Sequence, residues 1–422
     1  MRYAIACPHP EATLAGEDAF RSGGTALDAA LAAAAVLTVV YPHMCAIGGD
    51  AMALVALPDG SVSAVVGAGA APAAVDPEAL GETMPWDGPH TITVPGMVDA
   101  WGAIARLGAT LPWVDLLGPA VATAREGAGI VPGLARALDA RPDMRAHFGE
   151  GLRQPALART LQAIADAGPR ELYEGPTAKV LVAGLQAAGC PITREDLAAH
   201  ATELTTPVAA ALEDREVLTT PRPTQGYVLH EILAALADGE EPLDAFRRTA
   251  AERDRRLADP RRGDTVAIVA ADEDGHAVSL IQSVYGEFGA GILEPATGIL
   301  MHNRGAGFSL DPGSPNRLAP RRRPAHTLMP VLVRHRGEVV IAQGSMGGRA
   351  QPQINAQVLL RLLAGDSAQA AVAAPRIVVD GEEVAHEGDG VGHAQVVRRA
   401  PDGGFDAGTD PRADGLAVTG TA

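Results

Sequence analysis

Lysine is almost missing from this chain. Of 34 basic residues in 422, only Lys179 is a lysine. A phosphate-cradling loop of the G-x-x-x-x-G-K type is therefore excluded, and only one candidate remains for a Schiff base. That candidate sits in Thr177-Ala178-Lys179-Val180-Leu181, a pattern that reads as a solvated helix position. Cysteine is nearly as scarce. Cys7, Cys45 and Cys190 are odd in number, far apart and without a C-x-x-C pair, which argues against a disulfide framework or a zinc knuckle. Positive charge is outweighed by 51 acidic residues, for a net charge of -17. Such a balance opposes binding to a polyanion, so no nucleic-acid partner is expected. Long apolar runs are absent too: the longest, residues 29–41, falls short of the roughly 18 residues that suggest a membrane span. The start, Met1-Arg2-Tyr3-Ala4-Ile5-Ala6-Cys7-Pro8-His9, turns polar before a signal-length run can form. The expectation is a cytoplasmic protein without membrane contact. His386-Glu387-Gly388-Asp389 with His393 carries metal-capable atoms, but at no ligand spacing that marks a site, and neither metal nor cofactor is expected.

What is present is apolar bulk. At 47% hydrophobic, the chain can bury a large core, and no linker rich in Pro, Ser and Gly separates two complete halves. One continuous domain is expected. After Gly23-Gly24-Thr25, the segment Ala26–Val40 is almost wholly Ala, Leu and Val, so it reads as a helix buried on every side. Residues 51–57 and 61–66 flank Pro58-Asp59-Gly60 as a hairpin. From about residue 100 to 236 the apolar spacing is helical, which predicts a helical layer. The stretch 252–262 is charged and is expected to be exposed. Beyond Gly263, residues 266–271 and 276–284 form a second hairpin pattern, and residues 330–334 and 338–343 a third. A helix is expected near 352–363. The Asp/Gly-rich tail from Pro401 reads as irregular unless it docks on the body. Strands, a helical block and strands again fit two sheets with helices packed outside them.

Asp264-Thr265 opens a strand directly after the charged stretch. A threonine hydroxyl is a poor nucleophile unless a base stands beside it. Cleavage before Thr265 would supply that base on the same residue, as an α-amino group with an ordinary pKa of roughly 8. On this dipeptide alone, a strand-opening threonine is the simpler reading. Gly344-Ser345-Met346-Gly347-Gly348 follows an apolar strand and precedes a helix. Its paired glycines suit backbone N–H donation to an oxyanion, and a tight turn equally well. The spacing is not the G-x-G-x-x-G of dinucleotide loops.

Taken together, these pieces resemble the γ-glutamyltransferase family of N-terminal-nucleophile hydrolases along nearly the whole chain. The residues that carry the likeness are Gly23-Gly24-Thr25-Ala26-Leu27-Asp28, Pro42-His43-Met44-Cys45-Ala46-Ile47-Gly48-Gly49-Asp50 and Thr93-Val94-Pro95-Gly96. Further on come Leu172-Tyr173-Glu174-Gly175, Ile192-Thr193-Arg194-Glu195-Asp196-Leu197 and Pro221-Arg222-Pro223-Thr224-Gln225-Gly226. The second half adds Gly263-Asp264-Thr265, Asp274-Gly275-His276-Ala277-Val278-Ser279, Phe288-Gly289-Ala290-Gly291, Gly347-Gly348 and Asp410-Pro411-Arg412-Ala413-Asp414-Gly415. The resemblance implies an α+β fold, the four-layer αββα sandwich. It also implies a proenzyme that cuts itself between Asp264 and Thr265, giving fragments 1–264 and 265–422 that stay together as a heterodimer. A homodimer of heterodimers is a further arrangement it allows. By motif position, Thr265 is the nucleophile, Ser283 a helping hydroxyl, and Gly347 with Gly348 the oxyanion hole.

The sequence also departs from the family. Transpeptidases hold the glutamyl α-carboxylate with an arginine before Val-Pro-Gly, and the α-amino group with an acidic residue before Phe-Ser. Here the two regions read Met84-Pro85-Trp86-Asp87-Gly88-Pro89-His90 and Asn303-Arg304-Gly305-Ala306-Gly307-Phe308-Ser309. Neither Trp86 nor Gly307 can reproduce such charged recognition. Arg304 and Asp87 are the candidates to take it over from opposite walls. His326-Thr327 stands where the transpeptidases carry two serines, so Tyr285 and His326 predict a more aromatic pocket, with Asn303 and Thr327 beside them. His302 and His326 read equally well as ordinary hydrogen-bonded histidines. A short tether, residues 258–262, joins the charged stretch to Gly263. The leading expectation is hydrolysis or transfer of a γ-glutamyl, glutathione-like amide through a threonyl ester, with water or an amine as acceptor. The alternatives are an amidohydrolase or acylase of a small non-glutamyl amide, and an uncleaved, inactive relative that only binds a metabolite.

Overall fold

The computed structural model describes residues 1–257, 263–386 and 388–422. The expected tether at 258–262 and Glu387 of the metal-capable run lie outside the described residues. Strands in the first part of the chain are β1 (Arg2–Cys7), β2 (Asp50–Ala56), β3 (Val62–Gly67), β4 (Glu203–Thr205), β5 (Val208–Leu212) and β6 (Arg215–Thr219). The long hairpin β7 (Asp264–Asp272) and β8 (Ala277–Tyr285) follows, then the short ribbon β9 (Leu293–Glu294) and β10 (Ile299–Leu300). The chain continues through β11 (Val331–His335), β12 (Glu338–Met346), β13 (Val378–Asp380), β14 (Glu383–Ala385), β15 (His393–Arg399), β16 (Phe405–Thr409) and β17 (Leu416–Thr421).

Among the described residues these strands build two large antiparallel sheets. One has seven strands in the order β17-β1-β7-β8-β2-β3-β4, the other six in the order β16-β15-β12-β11-β6-β5. The sheets face each other, with β12 lying across β7 and β8. Small side chains permit the close approach: a Cβ on Gly344 would stand 2.4 Å from Ile281 and 3.0 Å from Ala267. The space between the sheets is filled by Met52, Val66, Ala267, Ile281 and Leu328 at one end, and by Ala4, Leu54, Val269 and Leu332 at the other. Helices α1 (Pro10–Arg21) and α2 (Ala26–Val40) cover the outer face of the seven-stranded sheet, and helices Gly226–Ala237 and Gln351–Leu363 that of the other. The result is the four-layer αββα sandwich.

Helix α2 behaves as its composition predicts, with all fifteen residues buried. Being apolar all round, it packs on β7 and β8 on one side and on α3 (Met97–Gly108) and α4 (Trp113–Glu126) on others. Asp28 ties its start to the surroundings. One carboxylate oxygen accepts from the Thr25 N–H at 2.7 Å and the Thr25 hydroxyl at 2.9 Å, and the other from the N–H groups of Thr110 and Leu111 at 3.0 and 2.8 Å. This is a capping box extended across the fold.

Three expectations need correction. The helical block is interrupted by β4, β5 and β6, which join two different sheets. Their Ala-rich stretch Val208-Ala209-Ala210-Ala211-Leu212 carries no clear period, and pairing of β6 with β11 decides its state. The tail from Pro401 is not irregular. It forms β16 and β17, and β17 pairs with β1 from Arg2↔Thr421 to Cys7↔Leu416. Asp410 pins the tail from inside, fully buried and paired with Arg376 and Arg412. Within the charged stretch, Arg253 is buried rather than exposed, because its guanidinium donates to Gln225 Oε1 at 2.6 Å.

Replacing Asp28 by alanine strands several buried N–H groups at once. We expect Asp28→Ala to lower unfolding free energy by about 3 kcal/mol, read as a lower urea midpoint with an unchanged slope; a shift below about 0.5 kcal/mol would remove the cap from the account of the fold.

Candidate active site

Strand β7 begins irregularly. Asp264 pairs with Tyr285 and Val266 with Gln282, so two residues of β8, Ser283 and Val284, stand opposite the single Thr265. A bulge of this kind twists the ladder and re-aims the side chains beside it. Thr265 is buried, and its Oγ1 has no hydrogen-bond partner among the described residues. A buried hydroxyl in that state is costly in a purely structural role. Ser283, directly across the bulge, has its Oγ oriented by the N–H of Tyr285 at 2.7 Å. Tyr285 itself has φ +78°, a left-handed conformation rare for a bulky residue and strained by the order of 1–2 kcal/mol.

The paired glycines reach the same place from the other sheet. β12 ends at Met346, Gly347 follows at φ 148°, and Gly348 has φ +52°. A Cβ on Gly348 would stand 2.6 Å from Gly263 N and 2.7 Å from Gly263 O. Backbone therefore lies on backbone just before the Asp264-Thr265 bond, a contact only glycine allows. Gln225 clamps the turn, donating to the carbonyls of Gly348 and Thr327, each at 2.7 Å. Its own Oε1 is held by Arg253.

A wall of polar and aromatic groups completes the site. The Arg304 guanidinium lies 3.5 Å from the centroid of the Tyr285 ring, stacked on it, and 3.5 Å from the Thr327 hydroxyl. Trp86 tilts against the same ring at 5.4 Å. Asn303 links the pieces, accepting from the Gly286 N–H at 2.8 Å and donating to the Trp86 carbonyl at 2.7 Å. Tyr285, Asn303, Arg304 and Thr327 are thus gathered beside Thr265. Two other candidates are placed differently. Asp87 is exposed, its charge acting on Arg141. His326 is enclosed: its Nδ1 accepts from the Leu328 N–H at 3.3 Å, which leaves Nε2 to donate to Asp50 Oδ2 at 3.2 Å. With both ring nitrogens engaged, it presents no hydrogen-bonding atom to a ligand.

Asp50 is the centre of that buried network. It pairs with Ser283 across the β2–β8 ladder, and its Oδ1 accepts from the N–H groups of Gly96 and Gly69 at 3.0 and 3.3 Å. His302 Nδ1 stands 3.4 Å from Oδ2 without a hydrogen bond, while its Nε2 lies 2.9 Å from the Thr93 carbonyl. Burial pushes the Asp50 carboxyl up, but His302 and His326 together outweigh it and hold the group well below the usual carboxylate range. Burial lowers His326, partly offset by Asp50. Asp50 and Gln225 sit inside family motifs, yet nothing local in the sequence gives them a role. Arg253 was hidden by its charged neighbours. Among the described residues, no group of three or more His, Cys, Asp or Glu side chains is arranged to hold a metal ion.

Known proteins match this arrangement over the whole chain. The gamma-glutamyltranspeptidase family model matches residues 12–252 and 241–383. An oxamate amidohydrolase proenzyme of Klebsiella pneumoniae is 32% identical, with 97% of each chain covered. A glutathione hydrolase-like YwrD proenzyme of Bacillus subtilis is 30% identical, with 98% of each covered. The crystal structure of cephalosporin acylase from Bacillus halodurans superposes with a TM-score of 0.91 at 30% identity, over 99% of this chain and 95% of that one. With the αββα layers, the bulged strand start and the paired glycines in one place, the chain belongs to the γ-glutamyltranspeptidase family of N-terminal-nucleophile hydrolases.

Proposed function

We propose that this protein is a self-cleaving amide hydrolase that works through an ester on Thr265. The observation that carries the reading is the buried, unpartnered Thr265 hydroxyl in a bulge opposite Ser283, where Gly348 presses on the backbone that precedes it. Cleavage between Asp264 and Thr265 would yield fragments 1–264 and 265–422. Both fragments contribute strands to each sheet, as β1, β2 and β3 flank β7 and β8, and β6 pairs with β11, so they remain one body as a heterodimer.

In the cleaved form, the new α-amine takes the proton from Oγ1 as the hydroxyl attacks the amide carbonyl. The N–H groups of the Gly347-Gly348 turn receive the developing oxyanion, and Ser283 steadies the hydroxyl side. The C–N bond then breaks, and the proton passes to the leaving nitrogen. Water, or an amine, attacks the threonyl ester and frees the enzyme. Tyr285, Asn303, Arg304 and Thr327 would line the acyl pocket. His326 would support that wall from behind through Asp50, and Asp87 is left without a place in it.

For the acyl group, a small amide that is not γ-glutamyl is favoured. The position of the transpeptidase arginine is held by the Met84–His90 stretch, whose Trp86 packs on Tyr285, and the acidic partner of the α-amine is replaced by Gly307. Similarity to an amidohydrolase and to an acylase supports this choice. A γ-glutamyl donor is the second reading, favoured by the buried Arg304 cation and by the glutathione hydrolase-like relative.

Denaturing mass measurement of purified protein should give two fragments broken before Thr265, and one chain for Thr265→Ala. A single intact wild-type chain would reject the proposal. Gly348→Ala should also stay uncleaved, because its methyl group would displace Gly263; normal cleavage of that variant would show that the close contact is unnecessary. In a screen of acyl anilides, simple small acyl groups should be turned over faster than the γ-glutamyl compound. With the preferred donor, Arg304→Ala should lower kcat/KM tenfold or more, whereas a loss of twofold or less would strip Arg304 of its role.

A further inference from the structure

Gln225 stands at the N-cap of helix Gly226–Ala237, yet its side chain makes no capping bond to that helix. A polar side chain at this place ordinarily serves the helix's own first N–H groups. The amide of Gln225 is engaged elsewhere. Arginine has only donors, so the atom that meets Arg253 Nε must be Gln225 Oε1, and Nε2 must be the atom that donates to the carbonyls of Gly348 and Thr327. Gln225 is fully enclosed and Arg253 is 1% exposed. Arg253 lies on helix Pro242–Leu257, whose Phe246 is anchored in the apolar layer with Val228, Leu229 and Ile354. The next residue of that helix, Asp254, accepts from Arg253 Nη1 at 2.9 Å and from the side chain of Arg349, which follows Gly348. Two adjacent residues of one helix thus hold the Gly347-Gly348 turn, one through Gln225 and the other through Arg349.

The turn needs such holding. Gly347 and Gly348 both have positive φ, and glycine lets the peptide planes on either side of it swing at little cost. The plane between them is fixed by the Ala350 N–H, which donates to the Gly347 carbonyl at 2.9 Å. The plane after Gly348 is fixed by Gln225. We propose that Gln225 and Arg253 are positioning residues that set the oxyanion donors, and that they act across the cut. The inference rests on Thr265 as the nucleophile and on Gly347-Gly348 as its oxyanion turn. Gln225, Arg253 and Asp254 belong to fragment 1–264, whereas Gly348, Arg349 and Thr327 belong to fragment 265–422. The last helix before the cleaved bond therefore shapes the site of the fragment that carries the nucleophile. Because the same amide holds Thr327, the oxyanion turn and the acyl wall keep a fixed spacing. Misplaced donors weaken the transition state more than they weaken substrate binding, so the effect falls on kcat rather than KM.

The test measures turnover of p-nitroacetanilide per cleaved chain in a set of variants. Gln225→Glu is nearly isosteric and keeps the pair with Arg253, but offers an acceptor where two carbonyls need donors. It should lower kcat about tenfold or more and leave KM within about twofold. Arg253→Met should do the same, and Arg253→Lys, which keeps a buried cation and donor, should recover most of the loss. Phe246→Leu loosens the packing of the helix without touching a polar group; it should lower the urea midpoint and keep the wild-type kcat. Wild-type kcat in Gln225→Glu, or a kcat that falls in step with the urea midpoint in every variant, Phe246→Leu included, overturns the positioning role. So does a loss confined to KM. If wild type is cleaved but does not turn over this anilide, the rate of self-cleavage in freshly made chain becomes the readout, with the same order of variants expected, because Gly348 lies against Gly263. An uncleaved wild type, or a Thr265→Ala variant as active as wild type, instead rejects the nucleophile on which the inference rests.

Discussion

The close approach of the two sheets at their shared end is the constraint on which the rest of this structure depends. Gly344 allows β12 to lie on Ile281 and Ala267, and four residues later Gly348 touches Gly263. A side chain at either position would wedge the layers apart, because packed interiors absorb even a methyl group poorly. Through this contact, the oxyanion candidates on one sheet and the bulged Thr265 on the other are held in register by rigid strands rather than by loops. The apolar helix α2, buried behind β7 and β8, backs the same region from outside.

Around that contact, polar groups are buried in linked pairs. Gln225 bridges Arg253 to the carbonyls of Gly348 and Thr327, while Asp50 bridges His326 and two backbone N–H groups beside Ser283. Such networks are stable only when nearly every atom is satisfied, which makes them rigid supports. Against that background, the buried hydroxyl of Thr265 has no hydrogen-bond partner among the described residues, which is the observation the proposed chemistry uses. The left-handed Tyr285, with Arg304 stacked on its ring and Trp86 tilted against it, is the strained element of the wall.

Sequence and structure agree most closely where a single periodic pattern or a special residue decides local form. The all-apolar run of α2, the three hairpins and the helix beginning at Gln351 were legible for that reason. The Ala-rich β5 was not, since alanine carries neither period nor β-branching, and β11, on which its hairpin partner β6 pairs, lies more than a hundred residues away. Docking of the tail was left open and its strands were not read, because pairing of β17 with β1 joins opposite ends of the chain. Within the site, the motifs marked Thr265, Ser283 and the glycine pair. The role of Asp50 depends on His302 and His326, more than 250 residues along the chain, and no local signal carries it.

By itself, then, the sequence determined the family and the layered α+β class and marked the bond next to Thr265 as the candidate cut site, because these rest on short-range residue types and turn chemistry. Only the tertiary structure decided what surrounds that bond. It enclosed His326, left Asp87 in solvent, buried Arg304 against Tyr285 and opened a cavity beside Gly263. The physical reason is that burial and pairing of a polar side chain are set by residues distant in sequence, which no local pattern records.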